Sequence, residues 1–396
     1  MLATWLKKNL FRSVADSVVT VVFGLLALYI GFRFLRFIFV TGRWEVAKVN
    51  LSLFMTGSWP TDELWRLSTV LVALTLIGSL AVGFGVARNR ALPDAPAPLW
   101  GMARVRDLAA RFWPALAAIL LLLSLTATVG PWLLFGAIVV AAVTGRVVGA
   151  MIPTTASVPV VVGLLLLALA SVWFLNAGVG WNDWGGLLLN VFLAAISIVL
   201  CFPIGVLLAL GRRSEFPIVR MLSTIYVELF RGVPLLALLL MANVALGFFI
   251  PQSLAPGDVV RAIVVFVLFT SAYVAEIVRG GLQSVPRGQI EAGRANGLSP
   301  VSITTRIVLP QAIRNVIPSL VGQFISLFKD TTLAGVAMGL LELLKAAEAS
   351  TAQNAFQGQG LIAETLMFAL LLFWAGSYTM SKESQRLETR LGVGQR

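Results

Sequence analysis

What most constrains this chain is the recurrence of apolar runs long enough to cross a bilayer. A helix needs about 20 largely apolar residues to span the hydrocarbon core. Ten segments are candidates: 18–40, 67–87, 112–129, 132–150, 158–175, 187–210, 219–250, 259–280, 313–328 and 361–380. The 396 residues are 58% hydrophobic and 12% charged, where a soluble domain carries roughly 25% charged residues. The pattern predicts an all-α polytopic membrane protein of about ten transmembrane helices. Gly130-Pro131 leaves open a single long bent helix in place of the third and fourth spans. Arg33 and Arg36 lie close enough to the end of the first span to snorkel.

Basic residues concentrate in cytoplasmic loops. The 30 Lys+Arg against 18 Asp+Glu therefore report topology, and nucleic acid is not expected as a partner. Lys7, Lys8 and Arg12 place the N-terminus inside, and Arg88, Arg90, Arg104, Arg106 and Arg111 do the same for the loop after the second span. Arg212, Arg213 and Arg220 mark another inner loop, Arg287, Arg294, Arg306 and Arg314 a further one, and Lys382, Arg386, Arg390 and Arg396 the tail. GVGWNDWGG (178–186), with two tryptophans and no basic residue, suits an outer interface. Three crossings must separate it from the Arg111 loop, with Arg146 at the inner turn. Both termini are thus expected in the cytoplasm. The basic start MLATWLKKNLFR leads into an apolar run with no small-x-small cleavage site and reads as an uncleaved first span.

Two parts follow. Residues 1–180 form an N-terminal transmembrane extension of about five helices, with a Pro/Ala-rich cytoplasmic linker, ALPDAPAP, within 88–111. Residues 181–390 hold the other five spans and every informative loop. With no histidine and one cysteine, Cys201, inside an apolar run, the chain has no internal disulfide, thiolate zinc site or imidazole acid/base chemistry. No metal site is expected.

The stretch EAGRANGLSPVSITTRIVLP, 291–310, is polar and rich in small residues between two spans. Pro286 suits a first helical turn with Ser284 as N-cap, and Gly297 suits the left-handed position that ends a helix. Ser299-Pro300 repeats the start signal, and Pro310 is expected to break or kink the second helix. On the first helix Ala292, Gly293 and Ala295 leave one side nearly bare, while Arg287 and Arg294 are spaced to orient the Glu291 carboxylate. Only the second helix carries large anchors, Val301, Ile307, Val308 and Leu309. The second helix therefore looks docked on its own protein and the first on a partner.

These residues carry a resemblance. Glu291-Ala292-Gly293, three residues, Gly297, nine residues and Ile307-Val308-Leu309-Pro310 resemble the "EAA" signature of bacterial ABC-importer permeases. YVELFRGVPLL (226–236), SAYVAEIVRGGLQSVPRGQ (271–289), LPQAIRN (309–315) and LFKDTTLAG (327–335) are similar to polar amino acid permeases of the histidine/glutamine type. The long extension resembles the larger permeases of general L-amino-acid and glutamate/glutamine/aspartate/asparagine systems. The resemblance implies a type I importer core in the last five spans and a coupling helix within 286–300 seated in a cytoplasmic ATPase. Glu291, Ala292, Gly293 and Gly297 would make that contact, with Ile307, Leu309 and Pro310 anchoring the loop. Gly293 stands where the motif has a second alanine and keeps the position small.

The chain has no GxxxxGK[ST], and none of its six lysines follows a glycine, so it lacks a P-loop. ATP and its magnesium ion are expected on a separate ATPase, with no cofactor or catalytic residue in this chain. The implied partners are two ATPase chains, a second homologous permease, a periplasmic amino-acid-binding protein, a polar L-amino acid and membrane lipid. The implied location is the bacterial inner membrane. An ion-gradient-driven secondary transporter is the alternative; it predicts inverted repeats, and the two halves here are unlike.

Ionisable residues at membrane depth line cavities or pair together. Glu228 with Arg231 and Glu276 with Arg279 have the spacing of ion pairs within one helix. Lys329, Asp330, Thr331 and Thr332 follow an apolar run and could meet the charges of an amino acid zwitterion, or could stabilise a broken helix. The resemblance favours a translocation path there. Glu342, Lys345 and Glu348 are expected at the outer face, as solvated surface or as a docking surface for the binding protein.

Overall fold

In a computed structural model that describes residues 5, 9–89, 102–126, 128–153, 157–245, 251 and 255–391, the apolar runs are helical. Lys7, Lys8, Arg90, Arg396 and the ALPDAPAP linker lie outside the described residues. In the first part α1 (Val14–Arg36) runs into a π-turn (Phe37–Thr41), followed by short α2 (Glu45–Val49) and α3 (Leu51–Thr56). Four long helices come next: α4 (Leu64–Asn89), α5 (Met102–Leu125), α6 (Gly130–Met151) and α7 (Ser157–Gly178). The second part holds α8 (Gly186–Gly211), α9 (Pro217–Gly232), α10 (Leu235–Leu240) and α11 (Asp258–Ser284). It continues with α12 (Arg287–Ala295), α13 (Pro300–Ile303), α14 (Leu309–Asp330), α15 (Leu333–Met338), α16 (Leu343–Thr351) and α17 (Ile362–Leu391).

Six helices among the described residues (α1, α4, α6, α8, α11 and α17) are long and apolar enough to cross a membrane. The shorter apolar stretches Phe112–Leu125 and Val162–Gly178, in α5 and α7, and the 22-residue α14 occupy three further expected positions. The expected span 219–250 is not one helix. Its two arms, Pro217–Gly232 and Leu235–Ala245, meet at 99°. Val233 is extended (φ −103°, ψ 136°) and Pro234 opens the second arm, because a residue before proline is pushed out of helical geometry. Nor are 112–129 and 132–150 one bent helix, since α5 ends at Leu125 and α6 begins at Gly130.

Lipid supplies no hydrophobic force between helices, so close packing depends on small residues that let backbones meet. On α6, Ala141, Gly145 and Gly149 recur every fourth residue, all buried against α4. A Cβ on Gly145 would lie 2.7 Å from Leu76 O, and one on Gly149 2.9 Å from Leu80 Cα. The Ser79 hydroxyl donates across the same seam to Ala141 O at 3.2 Å. In the second part α11 packs between α8 and α14, burying Phe266, Val274 and Val278.

The two parts share cores. Trp59, Leu67, Val70, Leu175 and Val179 join the cluster around Leu189, Leu239 and Phe266. A second cluster sets Ala47 and Phe54 against Leu343, Ala347, Phe368 and Leu372. Among the described residues α1 stands apart, with none of its side chains buried against the rest of the chain. Phe54 is fully buried, with its ring 5.0 Å from that of Phe368. Phe54→Ala is expected to cost ~3–5 kcal/mol, read as a lower thermal unfolding midpoint in detergent, with Phe54→Leu keeping most of the stability.

Candidate functional site

The 286–300 loop begins where α11 ends, beside the loop after α8: Arg213 Nη1 donates to Leu282 O at 3.1 Å. Pro286 itself is the N-cap of α12. Ser284, expected in that role, instead donates to Gly281 O and accepts from Asn315 Nδ2 at 2.9 Å. A Schellman motif closes α12. Gly297 N–H donates to Arg294 O at 2.9 Å and Leu298 N–H to Gly293 O at 3.1 Å. Gly297 has φ +73°, and a Cβ there would touch nothing. The glycine is required by conformation rather than space.

Of the residues expected to face a partner, Glu291 and Ala292 are exposed, as are Arg294, Ala295 and Gly297. Gly293 is not. It is buried against α13 and the turn after it, where a Cβ would stand 3.0 Å from Ile303 Cγ1 and 3.3 Å from Ile307 Cδ1. The helical twist puts positions 290 and 293 on one side and 291, 292 and 295 on the other. Glu291 forms no ion pair with Arg287 or Arg294, all three being exposed.

The second helix begins as expected, with Ser299 Oγ accepting from Ser302 N–H at 3.2 Å and Pro300 in the first turn. Ile303 and Val308 are its buried anchors, whereas Val301 is 71% exposed. Pro310 does not break the helix. A π-turn over Thr304–Val308 carries it into α14 with Pro310 in the first turn. The wider turn accommodates the missing N–H and the ring, which would clash in a regular α-helix.

At the opposite end of the core, the Lys329–Thr332 block divides. α14 stops at Asp330 and the chain restarts at Leu333. Lys329 is exposed, Asp330 and Thr332 are half-buried, and no ion pair joins Lys329 to Asp330. Thr331 is fully buried and faces the protein. Its hydroxyl donates to Phe328 O at 2.7 Å and accepts from Asn190 Nδ2 at 2.9 Å.

Asn190, on α8, also donates to Glu342 Oε2 at 3.2 Å, while its Oδ1 accepts from Leu343 N–H at 2.9 Å. Glu342 is wholly buried, not at a solvated outer face. As N-cap of α16 it accepts from Leu344 and Lys345 N–H, each at 2.8 Å. Burial pushes its carboxyl above the usual carboxylate range, against the lowering by these donors and Asn190. Lys345 and Glu348 remain exposed and pair at 2.9 Å. Asn190 lay inside an apolar run, and only its partners reveal its role.

Near the start of the 286–300 loop, Glu276 on α11 gathers three guanidinium groups. Arg212 approaches at 3.0 Å and Arg231 at 3.7 Å, and Arg279 forms the expected pair within the helix. Glu228 bonds Arg212 at 2.9 Å rather than Arg231. The bridges thus tie α8, α9 and α11 at one end of the bundle.

Residues 202–379 match the family model described as the binding-protein-dependent transport system inner membrane component. The inner membrane amino-acid ABC transporter permease protein YhdY of Escherichia coli is 31% identical over 98% of this chain and 93% of its own length. The chain belongs to this family of transport permease components. The family's glutamate/glutamine/aspartate/asparagine transport system permease protein BztC of Rhodobacter capsulatus is 35% identical over 88% of this chain and 78% of its own. The probable glutamine ABC transporter permease protein GlnP of Bacillus subtilis, 36% identical, aligns over 92% of its length with 52% of this chain. As a family member the chain is a multi-pass inner-membrane permease component.

Gly297→Ala is expected to cost ~1–2 kcal/mol by forcing a side chain into the left-handed region, read as faster amide exchange at positions 297 and 298 than in the unmodified chain. For Glu342 the folded chain holds a proton at a pH where the unfolded chain has released it. Its contribution to stability is therefore greatest below about pH 4.3 and falls as pH rises through the folded value. The unfolding midpoint of the unmodified chain should decline with pH over that window relative to Glu342→Gln, which does not titrate there.

Proposed function

We propose that this chain is the permease subunit of an ATP-driven importer of polar L-amino acids, coupled to a separate ATPase through the 291–310 loop. The observation that carries this reading is the asymmetry of that loop. α13 and the π-turn are fastened by Ile303 and Val308, while α12 offers Glu291 and Ala292 unpaired to the outside, ending in the Gly297 turn. A small-sided helix held rigidly by its own protein suits a cleft in another. Gly293 serves this contact from beneath, letting α12 seat closely on Ile303 and Ile307. ATP and magnesium belong to the partner chain, and ATP-driven closure of two ATPases would pull on α12 and rock the helices it joins. On this reading the loop and both termini are cytoplasmic.

A second, homologous permease would complete the pore. The exposed face of α9, with Ile218, Met221, Leu222, Ile225 and Leu229 each more than half exposed, repeats at helical spacing and suits such a neighbour as well as lipid. Lys329, Asp330 and Thr332 remain candidates for the translocation path. Thr331 acts from behind them by holding the helix break in place. A periplasmic binding protein would deliver substrate at the end carrying α16. The substrate class rests on the amino acids named for the relatives.

The test is reconstitution of the complex in proteoliposomes with labelled amino acids in competition. A nucleotide-binding chain should co-purify in stoichiometric amount. Glu291→Ala should lower ATP-driven uptake at least about tenfold, equivalent to ~1.4 kcal/mol of coupling, with membrane insertion unchanged. Undiminished uptake driven by an ion gradient, with the ATPase absent, would overturn the reading.

A further inference from the structure

A cavity of about 1420 Å³ separates the N-terminal extension from the core, at the end of the bundle away from the 286–300 loop. Its walls come from four membrane helices, α4, α5, α6 and α8, through Leu67, Leu71, Leu122, Leu134, Leu188 and Val191. Of the five hydroxyl side chains that line it, three are consumed by their own backbone: Ser68 donates to Leu64 O, Thr126 to Leu123 O and Thr56 to Ser52 O, while Ser52 and Thr128 are exposed. The helix walls therefore present mostly hydrocarbon. An amino acid zwitterion would lose its hydration there without replacement partners, so the cavity does not suit the transported substrate.

The rim is different. Trp44, Glu45 and Lys48, on and beside α2, line the same cavity. The Trp44 indole donates to Ile38 O at 2.8 Å and its ring meets Phe37 edge-on, a fixed aromatic at the level where tryptophan marks the membrane interface. Glu45 and Lys48 are exposed, and neither side chain meets a partner within the described residues. Largely apolar walls with an unpartnered anion and an unpartnered cation at an aromatic rim suit a lipid whose headgroup carries both a phosphate and an ammonium. We propose that the cavity holds a diacyl phospholipid with a phosphoethanolamine headgroup, its acyl chains between the extension and α8. Lys48 would meet the phosphate and Glu45 the ammonium. The lipid would act as a fitted part of the joint between the two parts of the chain, distinct from the exchanging lipid around α1.

The experiment uses the full complex in nanodiscs of equal phosphatidylethanolamine and phosphatidylglycerol, then extraction in mild detergent and native mass spectrometry of the lipid retained. Phosphatidylethanolamine should be enriched at least about threefold over phosphatidylglycerol, ~0.65 kcal/mol. Two exposed substitutions, Lys48→Ala and Glu45→Ala, should remove that preference together without disturbing the fold. Val191→Trp, which narrows the chamber at the α8 wall, should weaken retention of the lipid in a complex that keeps its unfolding midpoint. Retention in the bulk ratio, or equal retention by the original complex and the double variant, would overturn the proposal. So would a photo-crosslinker at Ser52 that labels another polypeptide instead of lipid.

Discussion

The structure depends on one constraint: inside a bilayer no water satisfies a backbone N–H or C=O, so every peptide group must find a partner in the protein. Helices meet that demand along most of the chain. The informative places are where helices stop, because each stop frees carbonyls and amides that something else must bind. The break after Asp330 is closed by Thr331, Asn190 and Glu342, and the last two also hold the first N–H groups of α16. The break at Gly232–Leu235 is set by Pro234 and lies next to the Arg231–Glu276 bridge. At Pro310 the chain avoids a break by widening into a π-turn.

These sites divide the polar residues by task. Glu342 is a buried carboxyl whose oxygens accept from the Leu344 and Lys345 N–H groups and from Asn190, which makes it a structural cap rather than a substrate ligand. Glu276 sits among three arginines and joins three helices close to the start of the 286–300 loop. The loop continues directly from α11, and the bridges join α11 to α8 and α9 at that end. Close backbone contact at Gly145 and Gly149 makes α4 and α6 a similarly rigid pair in the extension. The molecule is thus a set of stiff helix groups meeting at polar or lipid-lined joints.

The extension is more than an appendage. Phe54 and Ala47 are buried against α16 and α17, Asn50 accepts from Gln353, and Arg43 bonds Gln359 and Glu364. The short α2 and α3 brace the segment between the helix break and the last span. The family model covers residues 202–379, and so neither α2 nor α3.

The sequence by itself determined the helical class, most of the helix-forming regions and the Ser299-Pro300 and Gly297 signals of the loop, because these act over a few residues; it did not show that 219–250 bends at Pro234, that Pro286 rather than Ser284 caps α12, or that the helix runs on through Pro310. It also carried the family through five ordered blocks. It could not show that Gly293 turns inward, since a glycine leaves the same blank on either side of a helix. Nor could it pair Arg212 with Glu228 and Glu276, which stand 16 and 64 residues away. Asn190 lies inside an apolar run, and Glu342, 152 residues away, is expected from the sequence at the outer face as solvated or docking surface. Only the tertiary structure brought them together, because the partners of a buried polar group are chosen by packing between distant helices, and local pattern has no access to that choice.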